Sequence, residues 1–115
     1  MITGSNGQLG RELQKFYSQN SNIELLCSDI NELDISNKSS VNSYITINKP
    51  DIIINAAAYT QVDKCEDEKE IARKINVDGT KNLVDAIKKT DIVLVHVSTD
   101  YVFNGEKKEA YISPA

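Results

Sequence analysis

Three glycines spaced three residues apart constrain this chain more than any other feature of its sequence. Gly4, Gly7 and Gly10 follow a short apolar start, and apolar residues then recur at three- and four-residue steps from position 9 to position 17. That period is typical of one helix face, so the glycines are predicted to lie in a strand-to-helix turn. Such a turn can hold a phosphate, because helix-start N–H groups carry partial positive charge and glycines leave them accessible. A plain tight turn is the alternative.

An acidic residue follows this turn at the distance expected for a dinucleotide site. Asp29 lies roughly twenty residues beyond Gly10, at the end of the next apolar run, residues 23–28. A carboxylate there can accept hydrogen bonds from the ribose hydroxyls of a dinucleotide. Because ligands of parallel sheets bind at the carboxyl ends of the strands, the two features together favour a dinucleotide site over a plain turn.

Apolar runs alternate with helical stretches along the chain, which predicts an α/β fold with a parallel sheet. The predicted strands are residues 1–3, 23–28, 51–58 and 92–97. The longest helical stretch runs from Cys65 to Lys89, with a break near Gly79. We expect the N-terminal part of a Rossmann-type doubly wound sheet, with about four strands in the order 3-2-1-4.

Composition argues against several other classes of protein. The net charge of −4 and the pI near 4.9 do not fit a nucleic-acid surface, which needs clustered lysine and arginine. The two cysteines are too few for a disulfide framework or a zinc site, and no apolar run is long enough to span a membrane. We expect no metal, no nucleic-acid or membrane partner, and a cytoplasmic location.

Two polar residues fall where the pattern expects apolar ones. Asn76 lies in the apolar stripe of the long helix and should need a buried hydrogen-bond partner, either as a structural tie or near an active site. His96, the only histidine, lies inside the fourth predicted strand. We interpret it as a core residue with satisfied hydrogen bonds rather than as a catalytic residue.

Several motifs together resemble the extended short-chain dehydrogenase/reductase family. Residues 3–10 are similar to its T-G-x-x-G-x-x-G cofactor turn, Asp34-Ile35 to its adenine-contacting pair, and residues 76–80 to its N-V-x-G-T helix segment. Within that family, N-A-A-A-Y-T at residues 55–60 and S-T-D-Y-V-F at residues 98–103 resemble distinctive stretches of the dTDP-4-dehydrorhamnose reductases. The combination is more specific than any single motif.

The resemblance implies a function and a set of site residues. These enzymes reduce dTDP-4-dehydro-L-rhamnose, a nucleotide sugar, to dTDP-L-rhamnose for cell-surface polysaccharide, with NADPH or NADH as the cofactor. By resemblance, Thr99 is the catalytic residue that contacts the substrate carbonyl. The implied cofactor-binding residues are Gly4, Gly7, Gln8, Leu9, Gly10, Asp29, Asp34, Ile35, Ala56, Ala57, Ala58 and Tyr59.

The tyrosine acid of these reductases, and the lysine four residues after it, have no counterpart in this chain. None of the five tyrosines has a lysine at the fourth position after it. Because that tyrosine protonates the ketone oxygen, we expect the chain to be inactive as it stands. We interpret residues 1–115 as an incomplete NAD(P)-binding Rossmann domain without the C-terminal substrate-binding part, whose full-length form could be a homodimer.

Two alternatives to this function stay open. The chain could be a dinucleotide-binding module that regulates or scaffolds without turnover. It could also be a fragment of a reductase or epimerase that acts on another nucleotide sugar, since relatives of that kind share the glycine turn. The missing tyrosine and lysine distinguish an enzyme from a binding module, whereas the choice of sugar depends on residues that this sequence does not contain.

Overall fold

The computed structural model describes residues 1–58 and 66–98 of the chain. They form an α/β fold with one parallel sheet, as predicted. The strands are β1 Ile2–Thr3, β2 Cys27–Ser28, β3 Ile52–Asn55 and β4 Val93–His96. The helices are α1 Gln8–Tyr17, α2 Lys38–Asn48, α3 Glu66–Arg73 and α4 Thr80–Ile87, and a π-helical turn, Lys74–Gly79, joins α3 to α4.

The strand order is β2-β1-β3-β4, so the predicted order 3-2-1-4 is wrong. Ile2 pairs with Cys27 on one side and with Ile54 on the other, which puts β1 between β2 and β3. The physical reason lies in β3, whose Ile53 is fully buried in the main core, a position that suits an inner strand of the sheet. The predicted order would have placed this strand at an edge of the sheet.

The strand order reverses at β1, since β2 lies on one side of it and β3 and β4 lie on the other. This reversal places the helices on both faces of the sheet. Because crossovers between parallel strands are right-handed, α1 lies on one face while α2 and α4 lie on the other. Helices α2 and α4 pack against each other. The main core lies on their side of the sheet and consists of Leu33, Ile35, Val41, Ile45, Ile53 and Leu83.

Both ends of helix α2 are explained by the residues next to them. The Asn37 side chain accepts a hydrogen bond from the Ser40 N–H at 3.1 Å and so caps the first turn. The helix ends at Lys49, which adopts a left-handed conformation with φ of 44° immediately before Pro50. Pro50 cannot continue the helix, and β3 begins two residues later at Ile52.

The burial predicted for Asn76 and His96 is wrong, since both residues are exposed. Asn76 lies in the π-helical turn, which changes the helical period and moves this position off the sheet-facing stripe. His96 belongs to β4, and β3 is the only strand that pairs with β4 among the described residues. The expected break near Gly79 is this π-helical turn rather than an interruption of the helix.

Candidate functional site

A cleft opens at the carboxyl edge of the sheet, where β1 and β3 lie side by side. The chain runs from β1 toward β2 and from β3 toward β4, so the connections diverge there and leave a crevice between them. The cleft has a volume of about 340 Å³. Its lining residues are Gly4, Asn6, Gly7, Asp29, Ile30, Leu33, Asp34, Ile35, Ala56, Ala57, Ala58 and Ile75.

The glycine turn is one wall of this cleft, and its backbone packs directly on the end of β3. Gly4 has φ of +62°, which L-residues with a side chain rarely adopt. A Cβ atom on Gly4 would lie 2.6 Å from the backbone N and Cα atoms of Ala57. Glycine is therefore required at position 4 both by the backbone angle and by the space available.

The same turn opens directly into α1. Gly7 is the N-cap of the helix, and no side chain caps the first turn, which also contains no acidic residue. The first N–H groups of a helix have no partner within the helix, so those of α1 can receive an anion. Gln8 and Leu9 are exposed in this first turn without lining the cleft, whereas Gly10 is buried.

Gly10 explains how the helix comes so close to the turn. A Cβ atom there would lie 2.7 Å from the Cα atom and 2.8 Å from the carbonyl oxygen of Ser5, and would also collide with the Gly4 carbonyl oxygen. The structure therefore gives Gly10 a packing role behind the cleft. It is a buried support of the turn and not a lining residue.

The loop after β2 carries the acidic residues of the cleft. Asp29 is half-buried, and its carbonyl oxygen accepts hydrogen bonds from the N–H groups of Glu32 at 2.9 Å and Leu33 at 2.8 Å. The Glu32 carboxylate in turn accepts from the Asp29 N–H at 2.9 Å. These reciprocal bonds close the loop and hold Asp29 at the cleft, where the sequence predicted it.

Asp34 and Ile35 lie further along the same loop and also line the cleft. One carboxylate oxygen of Asp34 accepts hydrogen bonds from Ser36, at 3.0 Å from its N–H and 2.6 Å from its hydroxyl. Ile35 is 4% exposed and belongs to the core as well as to the cleft. The predicted pair is thus at the cleft, with Asp34 holding the loop and Ile35 presenting an apolar surface.

Asn55 is a site residue that the sequence analysis missed. It is 1% exposed, and its side-chain oxygen accepts hydrogen bonds from the Thr3 hydroxyl at 2.6 Å and from the Ala57 N–H at 3.3 Å. Its side-chain nitrogen lies 3.2 Å from Nδ1 of His96. These contacts join β1, β3 and β4 just below the cleft. The available signal was a polar residue at the end of an otherwise apolar strand, since such a residue needs partners when buried.

The charges around the cleft are negative. Asp29 and Asp34 line it, and no lysine, arginine or histidine does so among the described residues. Among the described residues, the donors available to an anionic group in this cleft are therefore backbone N–H groups and the side-chain amide of Asn6. Within the described ranges, no group of three or more histidine, cysteine, aspartate or glutamate side chains could hold a metal ion.

Two groups with shifted pKa values lie outside the cleft. Burial lowers the pKa of the Met1 amino group. A hydrogen bond from Lys88 lowers the pKa of the Asp85 carboxyl group on α4, and the two charged atoms are 2.9 Å apart. Neither residue lines the cleft, so these shifts carry no argument about a ligand there.

A larger cleft, of about 520 Å³, lies at the opposite, amino edge of the sheet. Its lining includes Tyr17 at the end of α1, Ile23 before β2 and Pro50 before β3. Ligands of open parallel sheets bind at the carboxyl edge, where strand order reverses, and helix N-termini point to that edge. We therefore assign the functional site to the smaller cleft.

Two predicted site residues, Tyr59 and Thr99, lie outside the described residues. The roles assigned to them stay predictions. In the part of the chain that the structure describes, no helix is long and apolar enough to cross a membrane.

Comparison with known families and curated proteins agrees with this geometry. The family model described as RmlD substrate binding domain matches residues 1–115. The dTDP-4-dehydrorhamnose reductase of Aggregatibacter actinomycetemcomitans is 49% identical over 111 residues, covering 96% of this chain and 38% of the relative. That of Burkholderia thailandensis is 37% identical over 112 residues, covering 97% of this chain and 37% of the relative. The chain thus spans less than two fifths of the length of these relatives.

Solved structures give the same result. The dTDP-4-dehydrorhamnose reductase of Clostridium acetobutylicum superposes with a TM-score of 0.88 at 48% identity, over 96% of this chain and 39% of that chain. The reductase of Bacillus anthracis, solved in complex with NADP, superposes with a TM-score of 0.85 at 42% identity, over the same shares of the two chains. The fold described above is therefore that of the corresponding part of these enzymes.

Proposed function

The chain belongs to the RmlD substrate binding domain family, and from this membership we propose that it is the dinucleotide-binding part of a nucleotide-sugar reductase. The complete reductase would use NADPH or NADH to reduce the C4 ketone of dTDP-4-dehydro-L-rhamnose to dTDP-L-rhamnose. The names of the similar curated proteins and the NADP bound to the Bacillus anthracis enzyme support this proposal. The observation that carries it is the glycine turn, packed on Ala57 at the junction of β1 and β3.

The start of α1 would bind the pyrophosphate of the cofactor. The N–H groups of Gln8, Leu9 and Gly10 lie in the first helical turn, where they have no partner within the helix. Gly4 and Gly7 leave the space in front of them free of side chains. The positive end of the helix dipole then stabilises the negative charge that the acidic side chains of the cleft would repel.

The remaining cleft residues would bind the rest of the cofactor. Asp29 would accept hydrogen bonds from the adenosine ribose, and Asp34 with Ile35 would contact adenine. Residues 56–58, all alanines, would let the middle of the cofactor lie close to the backbone, followed by Tyr59.

A bound reduced nicotinamide cofactor supplies hydride for the reaction. Within these 115 residues, the Thr99 hydroxyl would donate a hydrogen bond to the ketone oxygen, which gains negative charge as hydride arrives. No tyrosine with a lysine four residues later is available to protonate that oxygen. Because such proton transfer typically contributes about 10²- to 10⁴-fold, we propose that this chain binds the cofactor without turnover.

The second candidate is a non-catalytic dinucleotide-binding module. Both candidates require the cleft to bind a dinucleotide, and they differ in whether a longer polypeptide performs chemistry. A cytoplasmic location and a homodimer of the full-length form stay predictions.

Binding can be tested by calorimetry with NADH, NADPH and ADP-ribose. The unsubstituted chain should bind all three, and Gly7→Val should weaken binding by about 100-fold or more, which corresponds to about 2.7 kcal/mol. Binding should weaken because a branched side chain at position 7 would occupy the space of the pyrophosphate. The fold should be kept, because a Cβ atom on Gly7 would approach only the Gly4 carbonyl oxygen, at 3.3 Å. Gln19→Val, at an exposed position beyond α1, is the matched control.

Turnover is tested by mixing the chain with NADPH and dTDP-4-dehydro-L-rhamnose. We expect no cofactor oxidation, and recovery of activity when a polypeptide that supplies a Tyr-x-x-x-Lys segment is joined to residue 115. Oxidation by the 115-residue chain above a heat-treated control would show that the catalytic groups are misassigned. In the calorimetric test, an unchanged affinity of Gly7→Val for NADH, NADPH and ADP-ribose would show that the glycine turn is not part of the binding site.

A further inference from the structure

Helix α4 and the turn before it hold the apolar surface of the cleft from behind. Ile35 is one of the residues that line the cleft, and it is 4% exposed. A Cβ atom on Gly79 would lie 2.6 Å from Cγ1 and 2.7 Å from Cδ1 of Ile35. The absence of a side chain at position 79 is therefore what allows the Ile35 side chain to occupy its place.

A second contact positions the backbone of Ile35. The side-chain amide of Asn82 donates a hydrogen bond of 2.9 Å to the Ile35 carbonyl oxygen, across 47 residues of sequence. Gly79 and Asn82 are three residues apart, as expected for neighbours on one side of a helix. The side chain and the carbonyl of Ile35 are thus set by two positions of one helical segment.

The helix is anchored firmly enough to act in this way. Leu83, next to Asn82, is fully buried in the same core cluster as Leu33 and Ile35. The π-helical turn before α4 also places Ile75 directly in the cleft lining. The helical segment from Ile75 to Asn82 therefore touches the cleft once directly, through Ile75, and once indirectly, through Ile35.

We infer that Gly79 and Asn82 are positioning residues for the adenosine half of the dinucleotide, acting through Ile35. This inference rests on the proposed function. Ile35 neighbours Asp34 in the loop, so a shift of the Ile35 carbonyl moves both residues assigned to adenine. The pyrophosphate end of the cleft is built by the glycine turn, which neither Gly79 nor Asn82 contacts in the hydrogen bonds and close approaches described.

Two variants of Asn82 separate positioning from folding. Asn82→Ala removes the hydrogen-bond donor, and Asn82→Asp keeps the side-chain size while replacing the donor with an acceptor. Lys81→Ala, on an exposed neighbour in the same helix, is the control. The ligands are ADP-ribose, which contains adenosine, and nicotinamide mononucleotide, which does not. Thermal unfolding of every variant is recorded alongside calorimetric affinity.

We expect both Asn82 variants to bind ADP-ribose about five- to tenfold more weakly, as loss of one hydrogen bond implies, and nicotinamide mononucleotide unchanged. Lys81→Ala should match the unsubstituted chain with both ligands. An equal loss for the two ligands would mean a general structural role, and no loss for ADP-ribose would mean no role. Either result overturns the inference while leaving the proposed function intact.

A measurement on the unsubstituted chain does not depend on any variant folding. The side-chain amide resonance of Asn82 should shift when ADP-ribose is added and stay in place with nicotinamide mononucleotide. An Asn82 side-chain amide whose chemical shift is unchanged at saturating ADP-ribose would overturn the positioning role. If the folded chain fails to bind ADP-ribose at all, the proposed function fails together with this inference.

Discussion

The two walls of the cleft differ in what faces the ligand space: backbone in one wall and side chains in the other. In the turn wall, residues 4–10, Gly4 packs on Ala57 with no side chain between them. In the loop wall, residues 29–35, the lining residues all carry side chains, and that of Ile35 packs where a Cβ atom of Gly79 would lie. A side chain added to the turn wall must displace backbone, whereas a change behind the loop wall can be absorbed by rotation of Ile35. We therefore expect turn-wall substitutions to affect folding and loop-wall substitutions to affect affinity.

The largest expected effect is that of Gly10→Val in the turn wall. The added atoms would collide with the backbone of Gly4 and Ser5, which belong to a tight turn and cannot move independently. Overpacking of this kind lowers the free energy of unfolding by up to about 3 kcal/mol. Valine offsets little of this loss, because a β-branched side chain has low helix propensity. Urea denaturation should show the loss, and Lys15→Val on the exposed face of α1 should cost much less. Equal midpoints for the two variants would contradict the close packing of this wall.

A smaller effect is expected from Gly79→Ala behind the loop wall. Here the new methyl group meets a side chain, and alanine regains about 1 kcal/mol of helix propensity that glycine lacks. Stability should therefore fall by only about 1 kcal/mol, the balance of that gain and an overpacking cost. The affinity for ADP-ribose should fall severalfold because Ile35 is displaced.

The contact behind this prediction can be isolated with a double-mutant cycle. Ile35→Ala removes the atoms that the new methyl group would meet, so the stability losses of Gly79→Ala and Ile35→Ala should sum to more than that of the double variant. Strict additivity would show that the two positions do not interact.

The smallest expected effect concerns the choice of cofactor at Asp29. The cleft has two carboxylates and no basic lining residue within the described ranges, so a 2′-phosphate should be repelled. We expect NADH to bind about threefold more tightly than NADPH, a difference of about 0.7 kcal/mol, and Asp29→Asn to narrow this ratio. Asp51→Asn, at an exposed position before β3, should leave it unchanged. A strong preference for NADPH would show that Asp29 points away from the ribose.

Local sequence patterns were sufficient for much of the fold and for the membership of the cleft. Alternating apolar runs and helical periods predicted a parallel α/β sheet, which is confirmed. The glycine turn, Asp29 and residues 56–58 all reach one cleft, because each lies at the carboxyl end of a parallel strand. Their roles in cofactor binding stay predictions, as do those of Tyr59 and Thr99.

Burial of single polar residues was harder to predict. Asn76 and His96 were expected to be buried and are exposed, whereas Asn55 was overlooked and is fully enclosed. Periodicity indicates which face of an element a residue occupies, but a π-helical turn alters that period and an edge strand leaves a face uncovered. Burial depends on neighbours that the local pattern does not specify.

The sequence by itself determined the order of strands and helices along the chain and the position of the glycine turn after β1, because periodicity and glycine conformation act within a few neighbouring residues. Only the tertiary structure decided that β3 lies beside β1, and that Gly79 and Asn82 meet Ile35. Strand order depends on which whole strands can be covered on both faces, and the Asn82 contact spans 47 residues. Such choices are set by competition among packed surfaces, which no short stretch of sequence contains.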